Sequence, residues 1–162
     1  GDFCFHGGMS SVLARGQRRR SGQQGWQVAL RHPLRPDARL ATFCLENQAL
    51  GTSGSGTQFF HHRGKRYGHI LDPRSGWPAD KVLSATVIAP NAEQADALST
   101  ACYVLGIDEA AAFLKTRPDI AALLVTAERG EQLTLHTFQL PNATWELCDA
   151  GQSSQVRVVP HE

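Results

Sequence analysis

The order of strand-like and helical segments constrains the fold of this chain more than any other feature. Segments with the apolar alternation typical of β-strands come first, two helical segments follow, and further strand-like segments come after them. Chains that form a parallel sheet usually alternate strands and helices instead. The clustering therefore predicts an α+β fold with a mainly antiparallel sheet and two packed helices.

The helix predicted over residues 92–105 is the clearest element of the sequence. Asn91 precedes it, and an asparagine side chain can accept a hydrogen bond from an N–H group of the first helical turn. Gly106 is suited to end it, because glycine readily adopts the backbone conformation found after a helix C-terminus. A second helix is predicted over residues 108–116.

The strand-like segments carry apolar residues at alternate positions or in short continuous runs. Strands are predicted over residues 3–5, 11–14, 26–31, 40–45, 67–71, 82–89, 121–126 and 132–136. Two hairpins are expected, one joining 11–14 to 26–31 through an arginine-rich turn and one joining 121–126 to 132–136. The periodicity fades from residue 141 onward, so residues 141–162 are assigned to a C-terminal extension or tail.

The composition does not point to a function, but it argues against a nucleic-acid partner and a membrane-spanning helix. The chain has 162 residues, enough for one domain, and a formal net charge of +1. This charge balance gives no reason to expect a nucleic-acid partner, and Arg18-Arg19-Arg20 is interpreted as part of a solvated loop. No apolar run approaches the roughly 20 residues of a membrane-spanning helix.

Asp96 and Thr100 form a candidate metal site. They are four residues apart on the predicted helix, so both side chains leave the same face one turn apart. A carboxylate and a hydroxyl at that spacing suit a hard cation such as Mg²⁺ or Ca²⁺. Such pairs are common on solvated helices, but Ala95, Ala97 and Ala101 would let another backbone segment approach this one closely.

His69 precedes a turn rich in functional groups. It lies on the predicted strand 67–71, and Asp72 and Arg74 follow in a turn shaped by proline and glycine. Loops on a rigid scaffold often carry functional groups, but Asp72 can equally bond its own downstream backbone. His69 can be a core histidine or a group that titrates near pH 7.

The segment 52–57 is rich in glycine and small hydroxyl residues. Thr52, Ser53 and Gly54 could present hydroxyl and backbone N–H groups to a phosphate. No lysine follows in the register of a nucleotide-binding P-loop. A plain connector remains the alternative.

Together these segments resemble the ApbE family, the FAD:protein FMN transferases. The motifs that carry the resemblance are His69-Ile-Leu-Asp-Pro-Arg-Ser-Gly76, Thr86-Val-Ile-Ala-Pro-Asn91, Ala95-Asp-Ala-Leu-Ser-Thr100 and Leu105-Gly106. His6-Gly7-Gly8, residues 26–31 and residues 49–54 fit the same order. The resemblance extends over about residues 1–138.

The resemblance implies a fold related to the T-fold and a Mg²⁺-dependent reaction. In that reaction FAD is cleaved at its pyrophosphate, FMN is esterified to a threonine or serine of an acceptor flavoprotein, and AMP leaves. Asp96 and Thr100 match the metal ligands. His69 matches a residue that activates the acceptor hydroxyl or positions the flavin. The other residues expected at the flavin site are Ile70, Thr52, Ser53 and Gly54.

The resemblance also implies a division of the parent protein. Residues 1–140 are expected to be the C-terminal portion of an ApbE-like domain, and the N-terminal half of family members supplies much of the FAD pocket. The chain alone is therefore expected to be incomplete. A periplasmic or membrane-anchored location is implied, although no signal is visible here. Membrane association through an upstream segment and homodimerisation stay open.

Two alternative functions stay open as well. Ser55-Gly56 stands where the family usually has an acidic and an aromatic residue, and Met9 stands where it usually has a polar one. These departures favour a flavin- or nucleotide-binding module without transferase activity. An FAD pyrophosphatase that gives FMN and AMP would use the same metal site with water as the acceptor.

Overall fold

A seven-stranded sheet is the central layer of the molecule. The computed structural model describes residues 1–8, 10–17, 25–55, 59–127, 132–148 and 156–161. The strands of the central sheet, in spatial order, are β1 (Phe3–His6), β2 (Ser11–Arg15), β5 (Ala49–Gly54), β8 (Ser84–Ala89), β9 (Ala121–Ala127), β10 (Leu133–Phe138) and β12 (Val156–His161). All neighbours pair antiparallel except β10 and β12, which are parallel. The predicted α+β fold with a mainly antiparallel sheet and two helices is confirmed.

The other elements cover this sheet or project from it. The helices are α1 (Ala92–Leu105) and α2 (Ile107–Leu114). A second sheet contains, in spatial order, β11 (Trp145–Leu147), β4 (Arg39–Leu45) and β3 (Trp26–Arg31). A separate hairpin consists of β6 (Phe59–His62) and β7 (Lys65–Gly68).

Side-chain alternation divides the apolar residues into two cores. Along β9, Ala122 and Leu124 belong to the core beneath the helices, whereas Leu123 and Val125 belong to the core shared with the second sheet. Successive strand residues point to opposite faces. Burial of both faces explains why β9 is a continuous apolar run instead of an alternating one.

The ends of α1 agree with the sequence prediction. The side chain of Asn91 accepts a hydrogen bond from the backbone N–H of Gln94 at 2.9 Å. Gly106 ends the helix with a φ of 77°, a value that favours glycine. Because α2 begins directly after this residue, the two helices pack side by side with their buried residues on the central sheet.

One predicted hairpin is confirmed and the other is wrong. Strands β9 and β10 pair as expected. Strand β2, however, pairs with β1 and β5, while β3 pairs with β4 in the second sheet. An alternating pattern specifies which face of a strand is buried but not which strand lies beside it. Met9, the Arg18-Arg19-Arg20 cluster and Gly56 lie outside the described residues.

Two strands follow residue 141, where no strand was predicted. Trp145 of β11 stacks on Phe43 of β4 with ring centroids 6.4 Å apart, and β12 pairs along the whole of β10. The assignment of residues 141–162 as a separate extension stays a prediction. Neither helix in the described part of the chain is long and apolar enough to cross a membrane.

Candidate functional site

The candidate site lies where α1 crosses β5. A Cβ atom at Gly51 would overlap the carbonyl oxygen of Ala95 and lie 2.8 Å from the backbone nitrogen of Asp96. Only glycine permits an approach this close without displacement of the helix. The contact fixes Asp96 beside the second half of β5.

Hydroxyl groups connect β5 to α1 just beyond this crossing. The Oγ of Ser53 lies 2.9 Å from the Oγ of Ser99 and 2.9 Å from the Oγ1 of Thr100. Ser99 is fully buried, whereas Thr100 is exposed. The structure therefore brings the predicted flavin-site residue Ser53 into direct contact with the predicted metal ligand Thr100.

Thr52 points away from this cluster. Its Oγ1 lies 3.0 Å from the Oγ1 of Thr86 on the neighbouring strand. Because neighbouring residues of a strand face opposite sides of the sheet, its hydroxyl lies on the face that α1 does not cover. The side chain of Ser53 reaches α1 on the helix side of the sheet, whereas the hydroxyl of Thr52 does not. Gly54 ends β5 beside them.

Asp96 and Thr100 form an exposed oxygen pair on α1. Within the described residues, the carboxylate of Asp96 has no hydrogen bond or ion pair, while its backbone carbonyl lies 3.3 Å from the Oγ1 of Thr100. An available carboxylate beside a hydroxyl is a donor set that suits a hard cation such as Mg²⁺. No cluster of three or more histidine, cysteine, aspartate and glutamate side chains within metal-binding distance occurs among the described residues.

His69 directly follows β7, whose last residue packs against the residue after β5. The predicted strand 67–71 is displaced in the structure, because β7 ends at Gly68 and His69 lies in a bend. A Cβ atom at Gly68 would lie 2.9 Å from the Cβ of Ser55, which follows β5, and 3.7 Å from the hydroxyl of Tyr103 on α1. His69 is exposed, so it is not a core histidine, and Ile70 packs partly buried against the core beneath the helices.

The turn after His69 is held by charged groups. Asp72 accepts hydrogen bonds from the backbone and side chain of Arg74, which confirms the turn interpretation. These hydrogen bonds lower the pKa of Asp72 to about 2. Arg74 also pairs with Glu109 of α2. Lys81 bonds Glu109 at 2.8 Å and the carbonyl of Leu105 at 3.0 Å.

An open cavity of about 410 Å³ lies beside this turn. Tyr67 and Trp77 are the aromatic residues in its lining, and Trp77 is 68% exposed. Asp72 and Lys81 also contribute to the lining. The cavity thus offers aromatic surface and charge within a few residues of His69.

Sequence analysis missed Ser99 and the ion pairs of Glu109. A buried serine on a helix gives no signal until the strand beneath it is known, although its position beside Thr100 could have suggested a role. The pairing of Arg74 with Glu109 joins residues 35 positions apart. Charge patterning along a single helix does not reveal such a pair.

Fold and site define an α+β domain in which a hydroxyl-bearing strand contacts an oxygen pair on one helix. An exposed histidine follows the hairpin strand that packs against the residue after β5. A family model described as "ApbE family" matches residues 6–124. This chain belongs to the ApbE family.

Relatives with curated names agree with the assignment. The chain is 38% identical over 106 residues to an FAD:protein FMN transferase of Klebsiella pneumoniae. The aligned segment covers 64% of this chain and 34% of the relative. It is 37% identical over 106 residues to that of Treponema pallidum, covering 64% and 29%. The chain thus spans about a third of these relatives.

Solved structures show the same fold. The ApbE protein from Thermotoga maritima matches with a TM-score of 0.62 and 35% identity, over 72% of this chain and 37% of that one. The flavinyl transferase ApbE from Pseudomonas stutzeri matches with a TM-score of 0.60 and 32% identity, over 78% and 38%. The α+β fold predicted from the order of elements is thus that of these ApbE structures.

Proposed function

We propose that this chain is part of a Mg²⁺-dependent FAD:protein FMN transferase, which moves FMN from FAD to a threonine or serine of an acceptor protein and releases AMP. The observation that carries the proposal is the contact of Ser53 with Thr100. It joins the phosphate-binding candidate on β5 to the oxygen pair on α1. Relatives of this chain are named for this activity.

Asp96 and Thr100 would hold the Mg²⁺ ion. When bound there, the cation neutralises the pyrophosphate oxygens of FAD and stabilises the charge of the departing AMP. The hydroxyl of Ser53 faces the same region and can hydrogen-bond a phosphate oxygen. Gly54 follows it at the end of β5. Ile70 supplies apolar surface beside them, as a flavin ring requires.

His69 would act on the acceptor. As the oxygen of the acceptor hydroxyl bonds to the phosphorus of the FMN moiety, the bond between that phosphorus and the AMP oxygen breaks. A ring nitrogen of His69 takes the proton from the hydroxyl. Its exposure, in a bend after β7, lets a large protein substrate reach it.

Product analysis tests this proposal against both alternatives. The protein is incubated with FAD and Mg²⁺, with and without an acceptor flavoprotein. Covalent flavin on the acceptor, with an equal amount of AMP, supports transfer. Release of FMN and AMP without an acceptor would instead establish a pyrophosphatase, and stoichiometric FAD binding without AMP would establish a binding module.

The variant Asp96→Asn tests the metal site. It should abolish Mg²⁺-dependent product formation, while the free energy of unfolding changes by no more than about 0.5 kcal/mol, because an exposed helix residue is replaced. Glu93→Gln, on the same helix and also exposed, is the matched control and should keep activity. Retained Mg²⁺ dependence in Asp96→Asn would contradict the assignment.

A further inference from the structure

His32 is a buried histidine in the loop that joins β3 to β4 in the second sheet. It directly follows β3, and only 3% of its surface is exposed. Backbone hydrogen bonds close the loop. The N–H of His32 donates to the carbonyl of Ala38 at 2.9 Å, and the N–H of Ala38 donates to the carbonyl of Arg35 at 2.9 Å.

One ring nitrogen of His32 accepts hydrogen bonds from two backbone groups. Its Nδ1 lies 3.2 Å from the backbone nitrogen of Leu34 and 3.1 Å from that of Arg35. A backbone N–H group can only donate, so Nδ1 must present its lone pair and carries no proton while the loop is closed. The neutral ring then carries its proton on Nε2.

Protonation of His32 would break this arrangement. An imidazolium has a proton on both ring nitrogens, and the one on Nδ1 would point at the two N–H groups that donate to it. Nε2 lies 3.0 Å from a guanidinium nitrogen of Arg35, so a positive ring would also face a positive side chain. Burial adds a further cost, because a buried charge loses its hydration. The closed loop therefore requires a neutral His32.

The charged residues around the loop include more cations than anions. Those of the loop and of the adjoining ends of β3 and β4 are Arg31, Arg35, Asp37 and Arg39. On β11, Glu146 lies opposite Thr42 of β4, and Cys148 follows with its N–H bonded to the carbonyl of Leu40 at 3.0 Å. Among these groups Arg35 contacts the imidazole directly, and its charge opposes protonation of the ring.

We propose that His32 is a pH-sensitive switch that holds the β3–β4 loop closed while its ring is neutral and releases the loop when the ring takes up a proton. Leu30 and Leu40, on either side of the loop, belong to the core shared with the second sheet, whereas α1 packs on the other core. Acid therefore loosens this end of the second sheet and leaves the candidate site on α1 and β5 folded.

The direction and size of the effect follow from proton linkage. The ring in an open loop titrates as a free histidine does, at about pH 6.5, whereas the ring in the closed loop stays neutral. Opening therefore takes up a proton below about pH 6.5, so the closed loop loses stability as the pH falls through this value. From about pH 7.5 to about pH 5.5, the equilibrium constant for opening should rise about 10-fold.

Hydrogen exchange followed by NMR measures this opening at the two amides that donate to Nδ1. The protection factors of Leu34 and Arg35, corrected for intrinsic exchange, should fall about 10-fold between these two pH values in the wild-type chain. Leu124, in the strand β9 that pairs on both sides, should be better protected at both pH values. Unchanged protection of Leu34 and Arg35 would overturn the proposal. So would protection equal to that of Leu124, because the loop would then open only with the whole fold.

The variant His32→Asn separates the proton from the hydrogen bonds. The Oδ1 of asparagine can accept from the N–H groups of the residues that follow it, as in Asx turns, but it does not titrate. Protection of Leu34 and Arg35 should therefore be similar at both pH values in this variant. His62→Asn is the matched control, since it replaces an exposed histidine of the β6–β7 hairpin and should keep the wild-type fall. A wild-type fall in His32→Asn would overturn the proposal.

Nitrogen NMR of the histidine rings in the wild-type chain gives a second test, which holds even if His32→Asn does not fold. A freely titrating histidine is largely protonated on both nitrogens at about pH 5.5, whereas Nδ1 of His32 in the folded chain should carry no proton. A proton on this nitrogen in the folded chain would overturn the switch. Neither measurement depends on catalysis, so the outcome is separate from that of the proposed function.

Discussion

At the scale of single residues, the site depends on how closely α1 approaches β5. Gly51 has no side chain, which lets the backbone of Ala95 and Asp96 lie directly on the strand. Two residues along β5, and therefore on the same face, Ser53 is near enough to contact both Ser99 and Thr100. A glycine therefore sets the position of Asp96 and Thr100, the proposed metal ligands.

Gly51→Ala should destabilise the protein and weaken cation binding together. The added methyl group would overlap the carbonyl of Ala95, and overpacking of this kind costs about 1–3 kcal/mol. Urea unfolding and Mn²⁺ binding measure the two effects. Gly7→Ala is the control, because its methyl group would meet chiefly the side-chain oxygen of Ser11, which can rotate away. A Gly51→Ala protein of wild-type stability would contradict the close contact.

His69→Gln should separate the chemistry from metal binding. The exposed imidazole is proposed to take the proton of the acceptor hydroxyl, and general bases of this kind contribute typically 10²- to 10⁴-fold to the rate. The rate of flavin transfer should fall by about that factor, whereas the Mn²⁺ affinity should be unchanged. A transfer rate within a few-fold of the wild type would remove His69 from the catalytic role.

Among the elements, ion pairs and hydrogen bonds join the turn after β7 to both helices. Arg74 joins Asp72 to Glu109 of α2, and Lys81 joins the same glutamate to the last carbonyl of α1. Hydrogen bonds from Lys81 and Arg74 lower the pKa of Glu109, as those from Arg74 lower that of Asp72. The charged groups thus connect the turn that follows His69 to the junction of the two helices.

The ion pair of Asp72 with Arg74 predicts a specific pH dependence of the free energy of unfolding. A carboxylate whose pKa is lower in the folded state contributes stability above its unfolded pKa, about 4, and the contribution is lost as the pH falls towards the folded value. For Asp72 that window extends from about pH 4 to about pH 2. In Asp72→Asn, the fall in the urea midpoint over this window should be shallower than in the wild type.

Arg74→Gln should flatten the same pH profile, since its guanidinium is the main cause of the shift. Its effect on Glu109 should be smaller, because Lys81 remains. If the urea midpoint of both variants fell as steeply as that of the wild type between about pH 4 and pH 2, the hydrogen bonds of Arg74 with Asp72 would not form in solution.

The sequence predicted the features that depend on neighbouring residues in the chain, such as the ends of α1. It did not predict the contacts between residues far apart in the chain, such as the pairing of β3 with β4. Asn91 and Gly106 mark α1 because capping depends on neighbouring residues in the chain. The partner of β3 depends on which sheet the strand joins, and this information is not encoded locally. Asp96 and Thr100 were predicted as metal ligands from their spacing together with the ApbE resemblance, and this role stays a prediction. The contact of Ser99 with Ser53 could not be predicted, because it depends on β5 lying beneath α1.

Taken as a whole, the central sheet buries both faces of its middle strands β8 and β9, whereas its two edge strands are largely exposed within the described residues. One edge is β1, which exposes Phe3 and Phe5, and the other is β12. The chain spans about a third of its relatives, and the completion of the flavin pocket by surfaces other than those described here stays a prediction. The edges and the exposed cavity beside Trp77 are where further structure could add to this layer.

Deletion of residues 141–162 tests whether the C-terminal segment is an independent extension. Strand β11 covers β4 through the stacking of Trp145 on Phe43, and β12 covers the edge of β10 along six residue pairs. Its removal would expose apolar surface of both sheets and leave β10 as an unpaired edge. Burial of one large apolar side chain contributes roughly 1.5–3 kcal/mol, so a loss of at least about 2 kcal/mol in the free energy of unfolding is expected.

Urea unfolding and size-exclusion chromatography measure this loss and the association that an open edge strand promotes. Val158→Ala in the full chain is the control, because Val158 is exposed and its backbone pairing with Leu135 is retained. It should change stability by less than about 0.5 kcal/mol. A shortened chain with the stability of the full one would show that residues 141–162 are an extension, and that the two sheets are stable without β11 and β12.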